Sequence, residues 1–316
     1  MHSPMPSRGW ETDPVQLTKH HGLANDFLVA LDEVNGRGLH VDGELARRVC
    51  DRRLGVGADG LIHGATPVAG SDLDVVMHLF NADGSRAEMS GNGIRCLAQA
   101  VALARDEREL HLSIATDGGV RQVSVTATDA DDRVAYAEAH MGKVGPGPEI
   151  PPAVAARLDE PGPARATRLA TADVGNPHLV VEVADPDAVA VAEVGGWIEA
   201  HFPDGINVEF AAAEPADDPD HDLVVRLRVW ERGAGVTEAC GTGACATASI
   251  FSTWRRADAA AAAAAGAAAG ADDDDPEPSV VVHMPGGAAT VRLQPDGEAV
   301  LAGRVHHVAT LELSDA

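Results

Sequence analysis

The chain carries one passage twice. Residues 72–93 read DLDVVMHLFNADGSRAEMSGNG and residues 222–243 read DLVVRLRVWERGAGVTEACGTG, aligned without a gap at an offset of 150. Three further pairs follow in the same order: ANDFLV at 24–29 with GNPHLV at 175–180, GVGADG at 55–60 with PDGINV at 203–208, and DGGV at 117–120 with PGGA at 285–288. Their offsets are 151, 148 and 168. Self-similarity kept in order at a near-constant spacing means that one structural unit is written twice. The chain is therefore expected to fold as two similar domains. The excess of 18 in the last offset is about what RADAAAAAAAGAAAGADDDDPEPS, residues 256–279, would insert. Its alanines favour helix, but it has no large side chain to bury, and Asp272–Asp275 repel one another. It reads as a solvated insertion, loosely helical at most.

Each copy has the same local grammar. Val225, Leu227 and Val229 alternate with Arg226, Arg228 and Trp230, the pattern of a strand with one buried face. A Gly-containing loop follows, then Ser90 or Cys240, then Gly-x-Gly, then IRCLAQAVALA in one half and ACATASIFSTW in the other. The first of these helical runs has only Arg95 and Gln99 as large polar groups, and the second carries no charge. A helix apolar on nearly every side is buried within its domain. With short strands on either side, the expected fold is α+β: two pseudo-symmetric domains, each a mostly antiparallel sheet wrapped around a central helix. The expected boundaries are 16–140 and 141–304, with a strand at 305–314 returning to the first domain and a disordered lead-in over 1–15.

A chain of 316 residues is long enough for two such cores. The net charge of −25 argues against nucleic acid and anionic membranes as partners. No apolar run approaches the ~18–20 residues of a membrane span, and MHSPMPSRGWETDP lacks the hydrophobic core of a signal peptide. The four cysteines are too few for a disulfide scaffold, and none has zinc-site spacing with a histidine. These features imply a reducing cytoplasm and no metal.

The glycines at 91, 93, 241 and 243 leave backbone N–H groups approachable at two helix starts. Such groups have no partner within the helix and lie at the positive end of its dipole. Either Gly-x-Gly alone would make no more than a tight turn. Two of them facing each other would grip one carboxylate. An amino acid held that way would present its Cα–H between Ser90 and Cys240. Removing the proton makes a carbanion whose charge spreads into the carboxylate, where the N–H groups stabilise it. A base on one face and an acid on the other would invert the centre without a cofactor. The helix N-terminus is expected to lower the thiol pKa below its free value of ~8.5, which would supply the base.

The motifs HGLANDF, RRLGVGADG, FNADGSRAEMSGNGIRCLA, GNPHLVV, GINVEF, ERGAGVTEACGTGACA and MPGG cover residues 16–314 apart from the insertion, and through them the chain closely resembles the diaminopimelate epimerase family. The resemblance implies a cofactor-independent isomerase converting LL- to meso-diaminopimelate for lysine and cell-wall synthesis, and a homodimer. It implies that Asn25, Asn81, Asn176, Asn207, Glu231 and Arg232 bind substrate and that Gly91, Asn92, Gly241 and Thr242 supply the N–H cradle. Cys240 matches one of the family's two catalytic cysteines, and Ser90 stands where the family has the other. The proline racemase superfamily, similar in architecture, includes members with Ser or Thr at one of the paired positions. Two further departures are Ala24 in place of a family glycine and Gly60 where many relatives have Gln. Two alternatives stay open: an epimerase of the hydroxyproline type on the same scaffold, and a non-catalytic amino-acid-binding protein. Cys50, Cys96 and Cys245 are expected in the core, and His178 in a loop near the site.

Overall fold

The computed structural model describes residues 14–36, 39–215, 223–265 and 279–313. The first half contains β1 (Val15–Gly22), β2 (Asn25–Leu31), α1 (Asp32–Asn35), α2 (Gly43–Cys50), β3 (Gly60–Ala65), β4 (Val75–Asn81), β5 (Arg86–Ala87), α3 (Gly91–Arg105), β6 (Glu109–Thr116), β7 (Gly119–Ala127) and β8 (Val134–Lys143). The second contains β9 (Gly145–Pro146), α4 (Pro152–Asp159), β10 (Arg168–Asp173), β11 (Pro177–Glu182), α5 (Val191–Glu199), β12 (Asn207–Glu214), β13 (Leu223–Glu231), β14 (Gly235–Thr237), α6 (Gly241–Ala264), β15 (Ser279–Met284), β16 (Gly287–Leu293) and β17 (Glu298–Leu313).

Most strand pairs are antiparallel, and the exceptions have one cause. Parallel neighbours need a crossover connection, which a helix usually supplies. The parallel pairs β2–β3, β4–β6, β11–β12 and β13–β15 are the places where α2, α3, α5 and α6 intervene. The same strand-and-helix order therefore recurs in both halves, and the fold is α+β with a central helix in each half. The halves are tied by their longest strand: the first half of β17 is flanked by β16 and β8, and its second half pairs with β1.

The nearly uncharged helices α3 and α6 lie inside their sheets. Ile94, Leu97, Val101, Ala244, Cys245 and Phe251 share one core with Leu301 of β17 and Met141 of β8. The outer faces are covered by shorter helices. Leu45 and Val49 of α2 pack with Leu28, Leu61 and Phe80, and Ile198 of α5 packs with Val208 and Phe210. Cys50, Cys96 and Cys245 are buried thiols, each pushed up to about 12 chiefly by desolvation.

Two expectations need correcting. Of the lead-in expected over 1–15, residues 1–13 lie outside the described residues and Val15 already opens β1 as a buried residue. The Ala-rich segment is not loosely helical at its start, because α6 runs unbroken to Ala264, while 266–278 lie outside the described residues. Extending an existing helix avoids the cost of nucleation, and alanine has the highest propensity. Arg168 fastens the extension, stacking on Trp254 at 4.8 Å and pairing with Asp258 at 2.7 Å.

Candidate active site

Ser90 and Cys240 are the N-caps of α3 and α6, with matching backbones (φ −135°, ψ 125° and φ −123°, ψ 116°). Gly93 N–H donates to Ser90 Oγ at 3.1 Å, and Gly243 N–H donates to Cys240 Sγ at 3.3 Å. Each cap thus occupies the third N–H of its helix. The N–H groups of Gly91 and Asn92, and of Gly241 and Thr242, have no intrahelical acceptor.

The two helix starts touch. A Cβ on Gly91 would stand 3.3 Å from Gly241 Cα, and a Cβ on Gly241 would stand 3.1 Å from Gly91 Cα and 2.8 Å from Leu301 Cδ2. These glycines therefore serve close helix approach as well as bare N–H groups.

The polar residues expected around this point fall into pairs related by the duplication. Asn25 opens β2, and its Oδ1 accepts from Asn92 Nδ2 at 3.4 Å. Asn176 precedes β11 and donates through Nδ2 to Thr242 Oγ1, also at 3.4 Å. Asn207 is buried at the start of β12, accepting from Arg232 N–H at 2.9 Å and donating to the Pro177 carbonyl at 2.9 Å. Its counterpart by strand register is Gly60, and the carboxylate of the adjoining Asp59 accepts from Asn25 Nδ2 at 2.7 Å. Asn81 and Arg232 are exposed: Asn81 donates to Ser85 Oγ at 3.0 Å and Arg232 to the Asp204 carbonyl at 3.1 Å. Glu231 closes β13 and accepts from Thr237 Oγ1 at 2.5 Å.

The turn presenting Asn25 is strained. Leu23 and Ala24 both have left-handed φ, 56° and 61°, a region that non-glycine residues enter at a cost of roughly 1–2 kcal/mol each. The first strand residues beyond it are held by charges. Asp26 lies 2.9 Å from Lys19 and 2.6 Å from Arg52, which also reaches Asp59 at 2.8 Å. Burial works to raise the Asp26 carboxyl, but the hydrogen bonds from Arg52 and Lys19 outweigh it and hold its pKa down.

Electrostatics at Cys240 overturn one expectation. The helix N-terminus was expected to lower this thiol pKa. Cys240 is only 5% exposed, and desolvation, then the charges of Glu231 and Glu209, push it well above the ordinary thiol value, overriding the opposing hydrogen bonds from Thr242 and Gly243 N–H. Burial, with Glu209 beside it, pushes Glu231 up as well, against hydrogen bonds from Thr237 and the Cys240 thiol. The site therefore holds a buried thiol beside a buried carboxylate, each raised above its ordinary value chiefly by desolvation.

Glu209 joins the site without having been expected there, and His178 departs from its expected loop position. His178 is not in a loop: it is fully buried in β11 and makes a 2.7 Å contact from Nδ1 to the equally buried Glu209. Its Nε2 lies 3.0 Å from Asn176 Oδ1. A Cβ on Gly243 would stand 2.6 Å from Glu209 Oε1, so the carboxylate lies directly under the start of α6. A glutamate inside the otherwise apolar run of β12 was the available signal. Behind Ser90 the chemistry is opposite in sign: Arg95 is fully buried, donating from Nε to the Gly91 carbonyl at 3.0 Å and from Nη2 to Asn92 Oδ1 at 2.6 Å.

Comparison with known proteins gives a consistent result. The model of the diaminopimelate epimerase family matches residues 17–144 and 170–308. A diaminopimelate epimerase of Synechococcus elongatus is 36% identical over 297 residues, covering 92% of this chain and 94% of that protein. Among solved structures, a phenazine biosynthesis protein of the PhzF family from Bacillus anthracis superposes with a TM-score of 0.68 at 15% identity, covering 95% and 99% of the two chains. A hydroxyproline epimerase from Agrobacterium vitis, solved with bound trans-4-hydroxy-L-proline, gives 0.58 at 17% identity, covering 96% and 93%.

Proposed function

The chain belongs to the diaminopimelate epimerase family, and from that premise we infer that it interconverts LL- and meso-diaminopimelate by moving the α-proton between the Cys240 and Ser90 faces of the centre. The observation that carries this reading is the matched pair of caps on touching helix starts. The substrate's α-carboxylate takes the N–H groups of Gly91, Asn92, Gly241 and Thr242 as its donors. On the Cys240 face, the thiol proton passes to Glu231, and the thiolate then removes the α-hydrogen. The electron pair left on Cα delocalises into the carboxylate, where the N–H groups stabilise it more than they stabilise the ground state. Ser90 Oγ–H delivers a proton to the opposite face, the alkoxide takes a proton from water, and Glu231 gives up its proton to the hydroxide so formed, which restores the starting site. The distal ammonium and carboxylate fall to Asn25, Asn81, Asn176, Asn207 and Arg232, since amides both donate and accept and a guanidinium can take a carboxylate with two bonds. The reading requires no cofactor. A cytoplasmic homodimer is part of it, and light scattering of the purified chain tests the dimer.

One observation favours a second reading: a hydroxyl at position 90 is a poor base, which suits a protein that binds the amino acid without moving its proton. Incubating LL- and meso-diaminopimelate with the protein in D2O separates the two. Deuterium at Cα supports the epimerase, with exchange abolished from either isomer by Cys240→Ala. Binding with no deuterium incorporation would sink it. Exchange into hydroxyproline but not diaminopimelate would move the assignment to the other substrate class.

A further inference from the structure

Arg95 heads the fully buried large side chains of the fold. Its Nε and Nη2 hold the Gly91 carbonyl and Asn92 Oδ1, and its Nη1 has no hydrogen-bond partner. Among the described residues no carboxylate pairs with it, and the ionisable groups around it are Cys96, Cys245 and Tyr136. A buried charge without a counter-ion is among the most destabilising features a core can contain. The helix architecture does not demand it, because the residue at offset 150 in α6 is Cys245. The surrounding strands nevertheless make room: a Cβ on Gly303 would stand 2.5 Å from Nη1, and one on Gly22 would stand 3.8 Å from Nη2. A destabilising feature kept beside a site is a candidate for function.

We propose that Arg95 is a positioning residue for the carboxylate cradle, pinning Gly91 and Asn92 from behind and supplying, through the start of α3, the positive charge that the substrate's α-carboxylate completes. The inference rests on the epimerase reading. Negative charge on that carboxylate grows as Cα loses its proton, so the guanidinium acts more strongly in the transition state than on the bound substrate.

The test compares α-deuterium exchange from diaminopimelate by the wild-type chain, Arg95→Met, Arg95→Lys and Gly303→Ala. Arg95→Met is expected to keep its Tm within about 5 °C of wild type while kcat falls about 30- to 100-fold and KM changes about three-fold or less. Arg95→Lys recovers part of the loss through its charge, and Gly303→Ala, which displaces the guanidinium without removing it, falls between Met and wild type. A purely structural role would lower Tm and leave kcat per folded molecule intact. The proposal is overturned if Arg95→Met turns over within about two-fold of wild type, or if Lys restores nothing. Should Arg95→Met fail to fold, wild-type kcat in Gly303→Ala overturns it instead. A wild-type chain silent toward diaminopimelate overturns the functional reading and this inference with it, whereas an active wild type with an indifferent Arg95 overturns this inference alone.

Discussion

Ser90→Cys puts a thiol where the chain has a hydroxyl, and the structure indicates that the thiol would fit. The caps share their backbone conformation, and the Gly93 N–H that now reaches Oγ at 3.1 Å has its counterpart reaching Sγ at 3.3 Å in α6. The new thiol would also be easier to ionise than Cys240. Besides burial, Glu231 and Glu209 raise the Cys240 pKa; their counterparts, at offset 150 and by strand register, are Asn81 and Ile62, both neutral. A free thiol ionises at ~8.5 and water at ~15.7, a gap of about 7 units that bounds the advantage over a hydroxyl from above. The alkoxide's greater basicity returns part of it; a Brønsted coefficient near one half leaves about half, or 3 to 4 decades, as a ceiling. Sulfur is larger than the oxygen this cap now holds, so we expect a gain of roughly 10- to 1000-fold in the direction where residue 90 must remove the proton. The opposite direction should gain less, because the proposed reaction asks residue 90 only to donate there, which a hydroxyl can do. Serine is a better N-cap than cysteine, so the faster variant should be less stable by about 0.5–1 kcal/mol. The assay is steady-state epimerisation from each isomer, with Tm measured alongside. If Ser90→Cys were slower in both directions, the hydroxyl would be a working part and the reasoning wrong.

Three other outcomes follow from the geometry. Gly91→Val and Gly241→Val each force a side chain into the contact between the helix starts, where Cβ alone already comes within 3.3 Å of the facing Cα; overpacking of about 1–3 kcal/mol and a fall of about 100-fold in turnover are expected, and wild-type kcat in both would refute the two-helix cradle. Ala24→Gly relieves a left-handed φ of 61°; set against the greater chain entropy of glycine, it should stabilise by about 0.5–1 kcal/mol in urea unfolding, and a loss of stability would deny the strain. His20 is fully buried against Gln99, and burial first, with the neighbouring His307 and His21, lowers its pKa from 6.5 to about 3. The unfolded chain therefore takes up a proton below pH 6.5 that the folded chain refuses until about 3, so this stability is present above 6.5 and declines through that window by about 1.4 kcal/mol per pH unit. Between pH 7 and 5 the wild type should lose about 2 kcal/mol more than His20→Gln, and equal losses would show that His20 titrates normally.

What was legible in the sequence was geometry that repeats. The equivalence of β4 to β13 and of α3 to α6, the burial of both helices and the Ser90–Cys240 correspondence all follow from one offset and from hydrophobic periodicity, since a shared backbone leaves a shared pattern. What was not legible is what the two copies do not share. At four matched positions the backbone is conserved between the halves and the chemistry differs: Asn81 against Glu231, Ile62 against Glu209, Arg95 against Cys245 and Ser90 against Cys240. None of these differences breaks a strand or a helix, so pattern reasoning passes over them. Their consequence is felt only through space. Glu231 and Glu209 are 9 and 31 residues from Cys240 along the chain, yet together with burial they raise its thiol, reversing what the helix dipole alone would do. The burial of His178 is equally invisible in the sequence, because its buried partner Glu209 lies 31 residues on, in the neighbouring parallel strand.

The duplication builds one cradle from two equal helix starts and then divides its charge unequally. Negative carboxylates stand behind the thiol and a positive guanidinium behind the hydroxyl. That polarity suits a centre with one strong and one weak partner. The carboxylates, with burial, keep the thiol protonated until substrate is bound in the proposed reaction. On the other face, positive charge behind Ser90 stabilises an alkoxide that a neutral site would not tolerate. If so, Ser90 and Arg95 are coupled. Arg95→Met should cost more turnover in the wild-type chain, where an alkoxide must form, than in Ser90→Cys, where a thiolate forms readily. A double-mutant cycle on kcat measures the difference, and strictly additive losses would show that the guanidinium acts on the substrate's carboxylate alone.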